Sequence, residues 1–191
     1  SPATFDAEKL EWMNGVYIRS MDENSLIEML LPFMERPEAD GGLPDTVARP
    51  IDRVYLKKLI PLVHERLKLL TEGTETLDFF FADNVNPAAE ELPGRKMDIA
   101  MTETELESAL RLCKTVSSFQ PEHLEAEYRS LAEKIEMKPG QLFSPIRVAI
   151  TGKAFAPPLF DTMAAIGQVR CVERIENALS IIRSAASSTT E

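Results

Sequence analysis

Apolar residues recur along most of the chain at the spacing of an α-helix. Over residues 26–34 and 51–70 they fall three or four positions apart, so that each set would cover one face of a helix. The same spacing continues over residues 74–82, 102–116, 121–135, 158–166 and 168–183. Residues 147–150 alone could form a strand, and four residues do not decide between strand and helix. The pattern predicts an all-α fold.

Proline, glycine and capping residues predict where several helices bend, end or begin. Pro61 falls inside the apolar pattern of residues 51–70, where it removes a backbone donor, and predicts a kink or two abutting helices. Gly73 is expected to end that segment. Thr102 and Glu105 are spaced as a capping box, in which each side chain accepts from the other's free backbone amide.

The chain is long enough for two small domains. Its 191 residues are 44% hydrophobic, which is enough to build a core. Residues 97–101 lie between two helical stretches and are the best candidate for a boundary. We therefore expect two packed helical subdomains, residues 1–100 and 101–191, with a polar tail over residues 184–191 that frays.

The composition excludes several classes of protein. Thirteen prolines, eight glycines and 7% aromatic residues are unlike the composition of an all-β sandwich. No apolar run reaches the roughly 20 residues of a membrane-spanning helix, and no signal peptide precedes the first charges. We therefore expect a cytoplasmic protein that does not enter a membrane.

No set of side chains predicts catalysis or metal binding. His64 and His123 are the two histidines, and neither lies in a motif with a nucleophile. Cys113 and Cys171 fall at apolar helical positions, outside any disulfide or zinc spacing. The chain is predicted to have no catalytic residue, metal or cofactor of its own, which leaves a binding module as the expected function.

Charge is distributed unevenly along the chain. The net charge of −10 disfavours a phosphate backbone on average, because affinity for nucleic acid comes largely from lysine and arginine. Residues 49–68, however, carry six basic and two acidic side chains, and residues 138–183 carry six and three. These two basic islands could accept RNA, although ordinary fluctuation of surface charge would produce similar counts.

Residues 141–166 are the strongest candidate for a binding segment. The stretch contains glycine, proline and threonine, so a loop here would leave backbone amides and carbonyls available to the edges of unstacked bases. The Phe155 ring and the Arg147 guanidinium could stack on such bases. The alternative is a tight turn between helices, with Phe155 in the core and Arg147 capping a helix. Physical reasoning alone favours this alternative.

Three motifs in the sequence resemble one family of enzymes. Residues 142–159 read LFSPIRVAITGKAFAPPL, and residues 66–70 read RLKLL. A third motif consists of Phe5, Lys9, Leu10, Trp12, Asn14, Tyr17, Ile18 and Arg19. The first match continues through Phe160, Ile166, Gly167 and Arg174. Together the motifs resemble the C-terminal anticodon-binding region of bacterial-type glutamyl-tRNA synthetase, a class I aminoacyl-tRNA synthetase.

The resemblance implies one group of RNA-contacting residues near the end of the chain. The family's base-contacting positions correspond to Arg147 and to the turn formed by Ala156, Pro157, Pro158 and Leu159. Because this turn lacks a hydroxyl side chain before its prolines, its contacts are expected to come from the backbone. Lys153 and Phe155 are expected to support the RNA contact.

A second group lies in the first half of the chain. Arg66 corresponds to the arginine that reads the third anticodon base, which is cytosine in tRNA(Glu) and guanine in tRNA(Gln). A guanidinium can donate to cytosine O2 or N3 and cannot accept, so it suits this base. Lys68 is expected to support the contact, and Trp12 is expected to anchor the core.

The resemblance also implies what a longer enzyme would do. The class I signatures His-Ile-Gly-His and Lys-Met-Ser-Lys-Ser are missing from this sequence. ATP and Mg are therefore expected in a catalytic half of the same polypeptide. Residues 1–100 are expected to contact the anticodon stem and third base of tRNA(Glu), and residues 101–191 to read the anticodon loop, with no DNA or membrane partner. The alternative is a helical protein–protein interaction scaffold that does not bind RNA.

Overall fold

Nine α-helices and three short 3₁₀ turns make up most of the described residues, 7–94 and 96–188 of a computed structural model, and these residues contain no strand. The helices are α1 (Ala7–Ser20), α2 (Glu23–Met34), α3 (Arg53–Val63), α4 (Glu72–Phe81), α5 (Ile99–Thr115), α6 (Pro121–Lys134), α7 (Pro139–Thr151), α8 (Leu159–Ile166) and α9 (Gln168–Ser188). The 3₁₀ turns are Glu38–Asp40, His64–Arg66 and Ala89–Glu91. The predicted all-α fold is confirmed.

The last helix, α9, extends close to the end of the chain. Phe5 and the last three residues of the predicted tail lie outside the described residues. Residues 184–188 do not form a separate tail, because α9 continues through them to Ser188.

The helices form two compact units that divide between Ala82 and Asp83. The first unit holds α1 to α4, and the second holds α5 to α9. This division precedes the boundary expected at residues 97–101, because the segment after Asp83 packs within the second unit. In that segment the carbonyl of Val85 accepts a hydrogen bond from the side chain of Asn177 in α9 at 2.9 Å.

The first unit shows what Pro61 and Gly73 do. Pro61 lies inside α3, which continues past it to Val63, and the 3₁₀ turn His64–Arg66 follows directly, so α3 ends after Val63 and not at the proline. The prediction that Gly73 ends this segment is wrong, because Gly73 lies in the first turn of α4. A Cβ added to Gly73 would sit 2.5 Å from Cδ2 of Leu30 in α2. The close approach of α2 and α4 therefore explains this glycine.

The core of the first unit consists of the apolar faces of α2, α3 and α4. Its fully buried side chains include Leu26, Leu30, Met34, Leu56, Leu59, Ile60, Leu77 and Phe80. α1 adds Ile18 to the buried residues, whereas Trp12 is 65% exposed. The prediction that Trp12 anchors the core is wrong, because this residue lies on the outer face of α1.

In the second unit, α5 begins earlier than the predicted capping box. Asp98 is the N-cap, and its carboxylate accepts from the backbone N–H of Met101 at 2.8 Å. Thr102 already lies inside the helix, where its hydroxyl donates to the carbonyl of Asp98 at 2.7 Å. The predicted box of Thr102 and Glu105 is therefore wrong, because Asp98 supplies the cap and Glu105 is buried.

α9 is the central helix of the second unit and packs along α5 and α7. Its buried stripe consists of Cys171, Arg174, Ile175, Ala178, Leu179 and Ile182. Ion pairs flank this packing at the surface: Lys114 pairs with Glu176 at 2.6 Å, and Arg183 pairs with Glu103 at 2.6 Å. Solvent and salt screen exposed pairs of this kind, so the apolar stripe dominates the stability of the packing.

Both cysteines are buried, as their apolar positions predict. Cys113 lies in α5 and Cys171 lies in α9, and neither forms a disulfide. Burial raises the pKa of the Cys113 thiol to about 11 and raises the pKa of Cys171 further. Since a thiolate is the reactive form of cysteine, both residues are inert core side chains near neutral pH.

Glu105 is a buried carboxylate in α5. Its side chain is 8% exposed, its Oε2 has no hydrogen-bond partner among the described residues, and desolvation by burial raises its pKa. Because the folded state favours the protonated form, ionisation at neutral pH destabilises it. We expect Glu105→Gln to raise the free energy of unfolding by about 1 kcal/mol at pH 7, with the gain shrinking as pH falls through the folded-state pKa.

Denaturant unfolding at several pH values measures this effect. Glu133→Gln is the matched control, because Glu133 is an exposed carboxylate on α6 and should show little change. A loss of stability for Glu105→Gln at pH 7 would mean that the buried carboxylate is stabilising and that the interpretation is wrong.

Candidate nucleic-acid interface

The predicted binding segment is shorter than the sequence indicated. Residues 139–151 form α7, so the loop expected from residue 141 onward is confined to residues 152–158, which we call the α7–α8 loop. The buried residues Leu142, Ile146, Ala149 and Ile150 recur at helical spacing and account for the helix. Pro139 lies in the first turn, where proline is tolerated because a backbone N–H at that position would have no intrahelical acceptor.

The start of the α7–α8 loop is held by hydrogen bonds. Gly152 adopts the left-handed conformation with φ +70°, which suits glycine, and its N–H donates to the carbonyl of Val148 at 2.8 Å. The Thr151 hydroxyl donates to the carbonyl of Arg147 at 2.8 Å and accepts from the N–H of Lys153 at 3.1 Å. These bonds end the helix sharply and set the direction in which the loop leaves it.

Phe155 projects from this loop into solvent. Its side chain is 93% exposed, so the alternative that placed Phe155 in the core is wrong. An exposed phenylalanine ring offers an apolar face to which an unstacked base can bind. Arg147 and Lys153, by contrast, are half-buried, Arg147 in α7 and Lys153 at the start of the loop.

The predicted turn of residues 156–159 divides into accessible and buried positions. Ala156 is half-buried and Pro158 is exposed, whereas Pro157 and Leu159 are buried. The side chains of Pro157 and Leu159 therefore fix the loop to the unit. These two buried side chains are not accessible to RNA, so the backbone contacts expected from the sequence stay a prediction.

Aromatic packing supports the far end of the loop. Phe160, in the first turn of α8, meets Phe143 of α7 edge to face at a ring separation of 5.0 Å and meets Tyr128 of α6 at 5.8 Å. The Tyr128 hydroxyl donates to the carbonyl of Ala109 in α5 at 3.1 Å. The loop is therefore anchored at both ends by ordered structure.

In the first unit, Arg66 and Lys68 both lie on an exposed turn. Arg66 is the last residue of the 3₁₀ turn after α3, and Lys68 forms a surface ion pair with Glu11 at 3.6 Å. Beneath them, Nε2 of His64 donates to the carbonyl of Ile18 at 2.8 Å. This bond gives His64 a structural role in holding the turn on α1.

The turn is also tied to α4. The backbone N–H groups of Lys68 and Leu69 donate to the carboxylate of Glu72 at 2.9 and 3.1 Å. Leu67 is buried between the two exposed cations. Arg66 and Lys68 thus project from a turn whose backbone is held in one conformation.

The two basic islands present fewer uncompensated positive charges at the surface than the sequence indicates. Arg174 is fully buried, Arg183 pairs with Glu103 and Glu107, and Arg53 pairs with Glu28. Three of the counted arginines are therefore compensated or withdrawn from solvent. The sequence counts overstated the cationic surface, because they could not show which arginines are paired.

One residue of the site was not assigned a role from the sequence. Arg174 lies on the buried stripe of α9, and its Nη1 donates to the carbonyl of Ile150 in α7 at 2.7 Å. The sequence does indicate that this arginine is buried. Arg174 falls at helical spacing among Cys171, Ile175 and Ala178, on a stripe that is otherwise apolar.

The described part of the chain shows neither a metal cluster nor a membrane span. It has no group of three or more histidine, cysteine, aspartate or glutamate side chains placed to hold a metal ion. Within the same residues, no helix is both long and apolar enough to cross a bilayer.

A comparison with known families covers most of this structure. The family model described as "Anticodon binding domain" matches residues 25–179. This stretch contains Arg66, Lys68, Arg147 and the whole α7–α8 loop. The chain belongs to the anticodon-binding domain family. The resemblance seen in the three sequence motifs is thereby confirmed at the level of the family.

Relatives of this anticodon-binding domain include glutamate–tRNA ligases. The chain is 43% identical over 185 residues to the ligase of Roseiflexus castenholzii, with 97% of this chain and 36% of the relative covered. It is 42% identical over 191 residues to the ligase of Chloroflexus aurantiacus, with 97% and 37% covered. The domain thus spans about a third of the length of the curated relatives it matches.

A solved structure shares the fold. The domain superposes on a glutamate tRNA ligase from Elizabethkingia meningosepticum, in complex with its amino acid, with a TM-score of 0.70 and 22% identity. The match covers 93% of this chain and 33% of the ligase. This similarity confirms the all-α architecture of the domain.

Proposed function

We propose that this domain is the tRNA-reading part of a glutamate–tRNA ligase and that it selects tRNA(Glu) through its anticodon stem-loop. The observation that carries the proposal is the α7–α8 loop, which presents the exposed ring of Phe155 and also contains Lys153. It follows the helix that carries Arg147, and all three residues lie in the stretch matched by the family. An exposed aromatic ring on an anchored loop is better suited to stacking on a single-stranded base than to packing into the core of a folded protein partner.

In the second unit, each loop residue would make a different kind of contact. Phe155 stacks on one anticodon base, and Lys153 neutralises a nearby phosphate. The Arg147 guanidinium donates to a base edge or stacks on its face. Residues 156–159 contribute backbone groups, because two of their four side chains are buried.

In the first unit, Arg66 reads the third anticodon base. Its guanidinium donates to cytosine O2 or N3, whereas guanine presents a donor at its Watson–Crick edge that a guanidinium cannot accept. Lys68 contributes charge for a phosphate next to that base. Both side chains are exposed on a turn tied to α1 and α4, so their direction is partly set before RNA binds.

The chemistry of glutamylation would take place outside this domain. We assign ATP and Mg to a catalytic part of the same cytoplasmic polypeptide, because the class I signatures are missing from this sequence. The domain's contribution is selective binding, which would hold the correct tRNA in place while that part joins glutamate to its 3′ end.

One observation favours a second function, a protein–protein interaction scaffold. The outer face of α1 exposes large apolar side chains, namely Leu10, Trp12, Met13, Val16 and Tyr17. Such a face is typical of contact with another protein surface. A scaffold function predicts partner binding that is insensitive to both salt and loop substitutions.

The salt dependence of RNA binding tests the proposed function against the scaffold. We expect an anticodon hairpin with the sequence of tRNA(Glu) to bind this domain, with log K falling by about 0.7–0.9 for each neutralised phosphate per unit of log salt. A filter-binding or fluorescence series from low to physiological salt measures the slope. Absence of binding at low salt would contradict the proposal.

Arg66→Ala tests the assignment of the third base. We expect the variant to lose about 1–3 kcal/mol of discrimination between a hairpin with cytosine and one with guanine as the third anticodon base. The reason is that the substitution removes the hydrogen-bond donors that contact this base. Arg36→Ala removes one exposed charge from the same unit and is the control. Unchanged discrimination in Arg66→Ala would assign the third base to another residue.

A further inference from the structure

We propose that Arg174 is a positioning residue, which holds the end of α7 and through it the α7–α8 loop in the conformation that reads the anticodon. The inference rests on the proposed function. Arg174 is 0% exposed, so it acts through other protein groups and does not touch RNA.

The contact lies at the point where the loop begins. Nη1 of Arg174 donates to the carbonyl of Ile150 at 2.7 Å, one residue before α7 ends at Thr151. The last four carbonyls of a helix lack intrahelical partners, and a positive charge is favourable at that end. A short hydrogen bond from a charged donor satisfies both conditions.

The neighbouring carbonyls of α7 accept from local groups. Val148 accepts from the N–H of Gly152, and Arg147 accepts from the hydroxyl of Thr151. These bonds shape the helix end without attaching it to another helix. The Arg174 contact, in contrast, connects the end of α7 to the first half of α9.

A second residue on the same face of α9 supports the loop. Asn177 lies three positions after Arg174, and its Nδ2 donates to the carbonyl of Val85 at 2.9 Å. The Val85 side chain in turn packs against Gly152, since a Cβ added there would sit 3.5 Å from it. Gly152, the first residue of the loop, is thus connected to α9 in two ways. One runs through Ile150 to Arg174, and the other through Val85 to Asn177.

Stability alone does not account for an arginine at this position. Burial of a guanidinium carries a desolvation cost, and an apolar residue of similar size is often neutral or more stable in such a site. The remaining buried residues of the α9 stripe are apolar or cysteine. A geometric requirement at the end of α7 explains why this position differs.

Discrimination between two hairpins tests the inference. The 191-residue chain and its Arg174→Met variant are each titrated with the tRNA(Glu) anticodon hairpin and with one whose anticodon differs by a single base. We expect Arg174→Met to narrow the ratio of the two dissociation constants by roughly five- to tenfold, comparable to the loss of one base contact. The slope of log K against log salt should stay unchanged, because Arg174 contacts no phosphate.

Ile182→Ala is the control for a structural effect. Ile182 is also fully buried in α9, so its truncation lowers thermal stability. The ratio of the dissociation constants of the two hairpins should stay as in the wild type. Arg174→Lys keeps the charge with a different donor geometry, and we expect it to fold and to narrow the ratio in part.

The outcomes separate the two claims. If the wild type binds both hairpins equally, the proposed function and this inference both fail. If the wild type discriminates and folded Arg174→Met discriminates equally well, this inference alone fails. If Arg174→Met does not fold, Arg174→Lys decides the question. The inference is overturned if this variant shows the same ratio of dissociation constants for the two hairpins as the wild type.

Discussion

Arg147→Ala is expected to weaken binding of the tRNA(Glu) anticodon hairpin by about 1–3 kcal/mol, or roughly 5- to 150-fold in Kd. The guanidinium is carried by α7 one turn before the loop, and no nearby side chain of the loop can replace its planar donors. Its backbone carbonyl accepts from Thr151, a bond that the substitution leaves in place.

The matched control for this prediction is Arg111→Ala. Arg111 is an exposed arginine on α5 in the same unit, so the variant has the same net charge as Arg147→Ala. Hairpin titration at one fixed salt concentration compares the two. Equal losses in both variants would show that total charge, not a contact from Arg147, determines the affinity.

Phe160→Ala is expected to lower the free energy of unfolding of the second unit by about 3–5 kcal/mol. Phe160 is 7% exposed and packs against the rings of Phe143 and Tyr128, so truncation leaves a cavity among three helices. Urea unfolding followed by circular dichroism measures the loss. A change below about 1 kcal/mol would contradict this packing.

Phe155→Ala provides the contrast. Because Phe155 is 93% exposed, its removal should change stability by no more than about 0.5 kcal/mol. Hairpin binding should nevertheless weaken by about 1–3 kcal/mol, the value of one base stacked on an aromatic ring. The two phenylalanines, five positions apart, thus separate stability from RNA binding.

The helices were predictable because their apolar spacing is repeated and regular. Pro61 did not mark the end of a helix, because α3 continues past it to Val63. Gly73 did not mark one either, because its role depends on the approach of Leu30 from another helix. The glycine, proline and threonine of residues 141–166 predict a loop from residue 141 onward, but the buried apolar residues as far as Thr151 follow a helical period.

The candidate site was predictable in position but not in detail. The motif predicts base contacts at Arg147 and at residues 156–159, and the structure places these positions near the end of α7, in the loop that follows it and at the start of α8. Burial of Pro157 and Leu159, and the contact of Arg174 with α7, depend on packing between helices that lie apart in sequence. A single sequence without tertiary contacts does not contain that information.

The most direct test of the account compares wild-type binding to two hairpins that differ in one anticodon base. One carries the tRNA(Glu) anticodon C-U-C, and the other has guanine in place of the final cytosine. We predict that the first binds at least about tenfold more tightly, the equivalent of one specific base contact. Equal dissociation constants at the same salt concentration would contradict anticodon reading by this domain.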